Sequence, residues 1–176
     1  MSSGNSLVEL SNSAGLVSPA GGYPEGAIYG SGAVAIDSSG NAWSANSMDG
    51  TISKLSKTGS AYPGSPFSNA SLNQPGFIAI DGAGNVWTSD IGNENSVEIS
   101  ELSNAGALIS PATGFLYTGN SLAEASGIAV DGSGDVWVAA NHTGNVVTAT
   151  EFIGVATPVV TPLATGVKNN TLGTRP

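Results

Sequence analysis

Short apolar runs and alternating segments follow one another in a pattern that the chain repeats three times. Each unit opens with an apolar run, passes through a turn rich in Asp, Gly and Ser, and returns through a segment that carries a tryptophan. The units span residues 33–43, 77–87 and 128–137, and their tryptophans lie 44 and 50 residues apart. A period of this length, made of short strands, is typical of chains built from repeated small β-sheets.

Each unit predicts a β-hairpin followed by an amphipathic strand. The apolar runs Val34–Ile36, Phe77–Ile80 and Ile128–Val130 lack alternation, so we expect them to be inner strands buried on both faces. The segments 52–56, 97–102 and 147–152 alternate apolar and polar residues, which indicates one buried face. No segment has the apolar spacing of an amphipathic helix. The sequence therefore predicts an all-β chain.

The N-terminal residues match only the outer part of a unit. Residues 9–12 and 16–20 correspond to 101–104 and 108–112 at a constant offset of 92. The chain therefore contains three inner hairpins and four outer strand pairs. We predict a single structural domain of about three and a half units, divided into an outer half-unit (1–31), units at 32–75 and 76–126, and a last unit with a C-terminal tail (127–176).

These residues resemble the NHL-type repeat, in which an apolar strand, an Asp-x-x-Gly-Asn turn and an aromatic strand succeed one another. They look closest to NHL-like proteins of soil bacteria and to the streptogramin lyase group, over about residues 5–153. The resemblance implies a partial β-propeller of four-stranded antiparallel blades. Propellers of this family normally close with about six blades in one chain, within the range known for the fold.

Charge and composition narrow the classes of partner. The net charge is −9 and the only cations are Lys54, Lys57, Lys168 and Arg175. Binding to nucleic acid or to an anionic membrane needs clustered Lys and Arg, so we expect neither. The chain has no cysteine, which excludes disulfides and zinc–thiolate sites. Residues 1–5 lack the features of a signal peptide, and we expect the parent protein to be extracellular or periplasmic, with its signal removed.

A carboxylate and a second polar side chain recur four residues apart in every turn. Oxygen ligands at this spacing suit a divalent cation such as Ca²⁺ or Mg²⁺, whereas an Asp that accepts hydrogen bonds from turn amides is a structural cap. Repetition in every unit favours the cap, and the pair with two carboxylates is the best candidate for a metal site. The pairs are Asp37 with Asn41, Asp81 with Asn85, and Asp131 with Asp135.

The tryptophans and the single histidine allow two interpretations each. Trp43, Trp87 and Trp137 could form an aromatic platform for sugars, but their recurrence at one structural position favours packing between blades. His142 is a candidate catalytic residue, because the resemblance implies that streptogramin lyases use histidine and an acid with a metal. One histidine cannot supply a two-histidine site, which favours an ordinary loop residue.

The second unit also carries an acidic stretch. Asp90, Glu94, Glu98 and Glu101 lie within 12 residues of one another. They could attract a cation, but the pattern of a half-buried strand favours a solvated face.

The incomplete set of blades favours self-association. Unpaired strand edges and one-sided cores tend to be covered by another chain, and cyclic dimers are the commonest oligomers. We predict a homodimer that closes a propeller ring, with interface candidates Leu7, Val8, Leu10, Val147 and Phe152.

The preferred function is a non-enzymatic binding or scaffold module, with no cofactor, that presents a loop face to a small-molecule or carbohydrate ligand. One alternative is an elimination enzyme of the streptogramin lyase type that uses a divalent cation. The other is a purely structural or shortened repeat unit.

Overall fold

The computed structural model describes residues 6–23, 28–91, 97–117, 125–142 and 146–159, with only the backbone at 142, 146 and 147. These residues form ten β-strands and no helix, which confirms the all-β prediction. Within the same ranges, no helix is long and apolar enough to cross a membrane.

The strands form three antiparallel sheets, here called blades, and each blade is a simple meander. Their first strands lie side by side, so the blades are arranged around a common inner edge. The first blade consists of β1 (Ser31–Ile36), β2 (Ala42–Asn46) and β3 (Thr51–Leu55); the second of β4 (Pro75–Ile80), β5 (Val86–Asp90), β6 (Val97–Leu102) and β7 (Phe115–Tyr117); the third of β8 (Ala125–Val130), β9 (Val136–His142) and β10 (Val146–Phe152).

In the residues that the structure describes, the outermost strand is regular only in the second blade, where β7 pairs with β6. In the first blade its place is taken by one bridge between Ile52 and Phe67. Residues 6–23, here called the N-terminal outer pair, are held by two further bridges, Leu7 with Tyr23 and Leu10 with Leu16. These bridges repeat the pairings Ile99–Phe115 and Leu102–Leu108 of the second blade at the offset of 92 seen in the sequence.

Alternation along the strands gives each blade two faces. The Trp face carries Trp43, Trp87 or Trp137, and the opposite aliphatic face carries Val34 and Ile36 in the first blade and their counterparts in the others. Cross-strand pairing fixes these sets, because Trp43 lies opposite Ala35 while Ser44 lies opposite Val34.

The core lies between blades rather than within them. Trp43 packs with Ile78, Val86 and Leu102 of the second blade. Trp87 packs in the same way with Val136 and Val138 of the third. The Trp face of one blade therefore covers the aliphatic face of the next.

The prediction that all inner strands are buried on both faces is wrong for β1 and for β8, where Ala129 on the Trp face is exposed. Ile78 of β4 is 9% exposed, but Val34 and Ile36 of β1 are 48% and 62% exposed. The aliphatic face of a blade is buried only where another blade covers it, and within the described ranges no Trp face covers that of the first blade.

The repeated Asp turns position the tryptophans. Asp37 Oδ1 accepts hydrogen bonds from the backbone N–H groups of Ser39 and Asn41, both at 2.9 Å. Its Oδ2 accepts one from the indole N–H of Trp43 at 3.2 Å. Burial raises the pKa of Asp37, but the hydrogen bonds from Asn41, Trp43 and Ser39 outweigh it and hold the pKa at about 2. Asp81 and Asp131 make the same contacts.

Candidate functional site

An open groove lies between the N-terminal outer pair and the aliphatic face of the first blade. Its volume is about 590 Å³. Apolar side chains from both walls dominate the lining: Leu7 and Val8 on one wall, and Val34, Ile36, Ala42 and Leu55 on the other. The groove occupies the position where a tryptophan hairpin lies in the other blades.

In the first and second blades, an aromatic residue near the outer edge packs on the tryptophan. Phe67 and Phe115 each pack on the tryptophan of their own blade, with ring centroids 5.9 Å and 5.8 Å apart. Tyr23 occupies the same position in the N-terminal outer pair, because it bridges to Leu7 as Phe115 pairs with Ile99. Within the described ranges, no tryptophan stacks on Tyr23.

The Tyr23 ring packs against the first blade in the same way as the Phe67 ring packs against the second. The ring lies directly over Gly59, just as the Phe67 ring lies over Gly106. Both glycines have positive φ, 81° and 86°, and a Cβ at either would collide with the ring. Glycine is therefore required at these points by both conformation and space. The N-terminal outer pair thus sits against the first blade in the orientation of a true blade.

The third blade ends with the complementary feature. Trp43 and Trp87 are fully buried, but Trp137 is 39% exposed. No ring contact of Trp137 occurs among the described aromatic residues. Among the described residues, one end of the blade stack therefore has an aliphatic face that no tryptophan covers, and the other end has a tryptophan that no aliphatic face covers.

Polar groups also line the groove. The Tyr23 hydroxyl donates a hydrogen bond to Glu9 at 2.7 Å, and this bond, together with burial and the charge of Glu9, raises the pKa of Tyr23. Lys57 also lines the opening. The lining of the groove therefore combines apolar residues with a few polar groups, as protein interfaces commonly do.

A buried lysine joins the first two blades. Lys54 Nζ donates hydrogen bonds to the carbonyl oxygen and the side-chain oxygen of Asn104, at 2.7 Å and 2.9 Å. It lies 3.8 Å from Asp37 Oδ2 and over the rings of Trp43 and Tyr62. Burial lowers its pKa, while the charge of Asp37 opposes that shift. These contacts stabilise the junction between blades and leave the lysine inaccessible.

The acidic stretch of the second blade is not the solvated face that the sequence favours. Asp90 and Glu101 are buried, Glu98 and Glu101 lie on opposite faces of β6, and Glu94 lies outside the described residues. Burial, the charge of Asp81 and the opposing hydrogen bond from Asn85 leave the pKa of Glu101 raised.

Asp90 ends β5 on the aliphatic face of the second blade. Its Oδ2 accepts a hydrogen bond from the backbone N–H of Asn73 at 3.1 Å, whereas Oδ1 has no partner among the described residues. Burial and the charge of Glu98 raise the pKa of Asp90 to about 6. The corresponding residue of the first blade, Asn46, instead donates hydrogen bonds to Thr51 and Ser53.

We expect the free energy of unfolding to rise by about 2–3 kcal/mol as the pH falls from 7 to 4, because Asp90 binds a proton more tightly when folded. The raised folded pKa means that the carboxylate destabilises the fold above pH 6, and the penalty disappears on protonation. Asp90→Asn should remove this dependence and raise stability at pH 7. Urea unfolding at several pH values measures it, and parallel pH curves for the two proteins would contradict the assignment.

Asp131 and Asp135, the candidate metal ligands, each accept separate structural hydrogen bonds. Asp131 Oδ1 accepts backbone hydrogen bonds from Ser133 and Asp135, which lower its pKa. The Asp135 carboxylate instead accepts a hydrogen bond from the backbone N–H of Gly154 at 2.6 Å. Among the described residues, no group of three or more His, Cys, Asp and Glu is placed to hold a metal ion.

His142 and the predicted interface residues do not form one cluster among the described residues. The backbone of His142 ends β9, and the side chains of His142 and Val147 lie outside the described residues. Leu7 and Val8 line the groove, and Leu10 is exposed beside it. Phe152 is half-buried and packs against the core between the second and third blades.

Sequence reasoning missed the groove residues Tyr23, Val34 and Ile36. Tyr23 was detectable, because the offset of 92 that aligns residues 9–12 with 101–104 also aligns Tyr23 with Phe115. Val34 and Ile36 could not be recognised as groove residues, because their residue types resemble those of Ile78 and Ile80, which a neighbouring blade covers.

Comparison with known proteins identifies the fold and goes no further. No family model and no curated protein sequence matches the chain. Among solved structures, a streptogramin B lyase shares 15% identity, with a TM-score of 0.56 over 83% of this chain and 47% of that one. Virginiamycin B lyase from Staphylococcus aureus shares 14% identity, with a TM-score of 0.55 over 84% and 48%. XC5397 from Xanthomonas campestris, a gluconolactonase, shares 15% identity, with a TM-score of 0.53 over 88% and 54%.

These matches confirm that the chain is a partial β-propeller. Identities this low establish fold alone, because propeller scaffolds carry many unrelated activities. The chain spans about half the length of the structures it matches.

Proposed function

We propose that this partial propeller is a non-enzymatic scaffold that self-associates into a closed ring and presents its loops to a ligand. The observation that carries the proposal is the mismatch between the two ends of the blade stack. Val34 and Ile36 form an exposed aliphatic face at one end, and Trp137 is exposed at the other. Inside the chain, both junctions between blades join these two kinds of surface.

The physical reason for association is the burial of apolar area. Covering a side chain such as Ile36, which is 62% exposed, contributes about 1–2 kcal/mol, and the neighbouring Val34 adds to it. Two copies supply about the length of one of the matching propellers, which fits ring closure by a dimer.

Ring formation would place the strand-end loops of both copies around one axis. Loops held on a rigid scaffold are common binding elements. The ligand class that we propose, a small molecule or carbohydrate, rests on this placement and on the scarcity of cations, which disfavours phosphate-rich partners.

We expect Ile36→Asp to weaken self-association at least tenfold, about 1.4 kcal/mol, because it places a charge in the apolar groove. Ile109→Asp is the matched control, since Ile109 is also an exposed isoleucine, at 49%, but lies between β6 and β7 of the second blade and does not line the groove. Light scattering coupled to size exclusion, over a series of protein concentrations, gives the mass of each variant. Equal masses for the two variants at every concentration would contradict an interface at the groove.

A further inference from the structure

We infer that the groove of one copy receives the Trp face of the third blade of a second copy, head to tail. This inference rests on the proposed self-association and identifies the surface that fills the groove. The second copy would place Trp137 over Val34 and Ile36, as Trp43 lies over Ile78 and as Trp87 lies over Val136.

The junctions inside the chain indicate that the Trp face of a third blade fits the groove. In both junctions within the chain, a Trp face packs on an aliphatic face, and an outer aromatic residue packs on the same tryptophan. At the groove, the aliphatic face and the outer aromatic residue, Tyr23, are present. At the third blade, the tryptophan is present and 39% exposed. Within the described part of the chain, each end thus carries the surface that is missing at the other.

Strand pairing gives the register of the contact. Ile99 lies opposite Ser89 and pairs with Phe115, and Ala149 lies opposite Ala139 at the same position of the third blade. Since Tyr23 corresponds to Phe115, Tyr23 of one copy is placed beside Ala149 of the other. Ala149 is exposed, so this strand face is accessible.

Residues 7–10 lie beside Tyr23, at the position that β10 of the second copy would occupy. The two strands therefore compete for the same site. Two isolated bridges and a few hydrogen bonds of Leu7 and Glu9 hold these residues, whereas β10 forms seven residue pairs with β9. The weaker strand is therefore the one displaced. Tyr23 and its strand then complete the third blade of the second copy, and the same exchange at the other junction closes the ring.

A mixing experiment with two blocked variants tests the head-to-tail arrangement. Ile36→Asp blocks the groove and leaves the third blade intact, and Ala149→Arg blocks the third blade and leaves the groove intact. Each variant alone should remain a single chain, because every junction would then contain one blocked surface. Mixed in equal amounts, they should form a heterodimer through the one junction with two intact surfaces. Differently tagged variants, pulled down and weighed by light scattering, measure this.

Three results would overturn the inference. If wild-type protein self-associates but the mixture forms no heterodimer, the head-to-tail contact is wrong and the proposed function stands. If Ala149→Arg alone retains the wild-type mass, a groove-to-groove contact replaces it. If wild-type protein is a single chain at every concentration, the proposed function fails as well.

Two controls keep the mixing experiment decisive. Trp137→Ala serves as a second third-blade variant if Ala149→Arg does not fold, as judged by circular dichroism. Ile36→Asp mixed with its own differently tagged copy should give no heterodimer, because neither junction has two intact surfaces.

Discussion

Trp87→Ala should lower the free energy of unfolding by about 3–5 kcal/mol, the usual loss for a large aromatic residue removed from a core. The Trp87 ring is fully buried between the second and third blades and packs on Phe115. Its indole N–H also donates a hydrogen bond to Asp81 at 3.4 Å. Removing it empties the centre of that junction and leaves an acceptor without its donor. Urea unfolding, followed by circular dichroism at low protein concentration, measures the loss.

Trp137→Ala provides the matched comparison at the same position of the repeat. Because Trp137 is 39% exposed, the loss at low concentration should be about half of that at Trp87 or less. At higher concentration the loss should grow, since the proposed ring buries this ring as well. Equal losses at Trp87 and Trp137, independent of concentration, would show that the third blade does not end in an open Trp face.

Asp37→Ala should cost about 3–5 kcal/mol, because it removes one partner of a buried ion pair together with a turn cap. The Asp37 and Lys54 side chains are each about 1% exposed and lie 3.8 Å apart. Without the carboxylate, the Lys54 charge stays buried with only its Asn104 hydrogen bonds and its contacts with Trp43 and Tyr62. Chemical denaturation at pH 7 measures the loss.

A second substitution separates the two parts of that cost. Lys54→Met in the Asp37→Ala background should recover part of the stability, because it removes the uncompensated charge and leaves only the lost cap. Acid should act in the same direction as Asp37→Ala. The pKa of Asp37 is held at about 2, so its contribution is full above pH 4 and disappears as the pH falls to 2. A double variant no more stable than Asp37→Ala would show that the ion pair contributes nothing beyond the turn.

The repeat was predictable because its determinants are local. An apolar run, an Asp turn and a tryptophan suffice to specify a hairpin, and β1–β2, β4–β5 and β8–β9 lie where this pattern places them. The outer strand was harder to predict, because in the described residues its pairing is one Ile52–Phe67 bridge in the first blade and a regular strand in the second.

Burial was the less predictable part, because it depends on neighbours that are distant in sequence. Ile36 and Ile80 follow the same local pattern, yet only Ile80 faces another blade. Glu101 has the pattern of a solvated position but is buried beside Asn85. Phe152 belongs to the aliphatic face that the second blade covers, which the sequence could not distinguish from an open edge. The groove therefore depends on which aliphatic face another blade covers, and the local sequence pattern does not specify this.

The mass of the wild-type protein in solution, measured by sedimentation velocity over a wide range of concentrations, tests the central claim most directly. A closed head-to-tail ring predicts twice the 17.3 kDa mass of one chain, with no further increase as concentration rises. A single-chain mass throughout would contradict self-association. A mass that keeps rising with concentration would contradict closure, because head-to-tail contacts that do not close form open filaments.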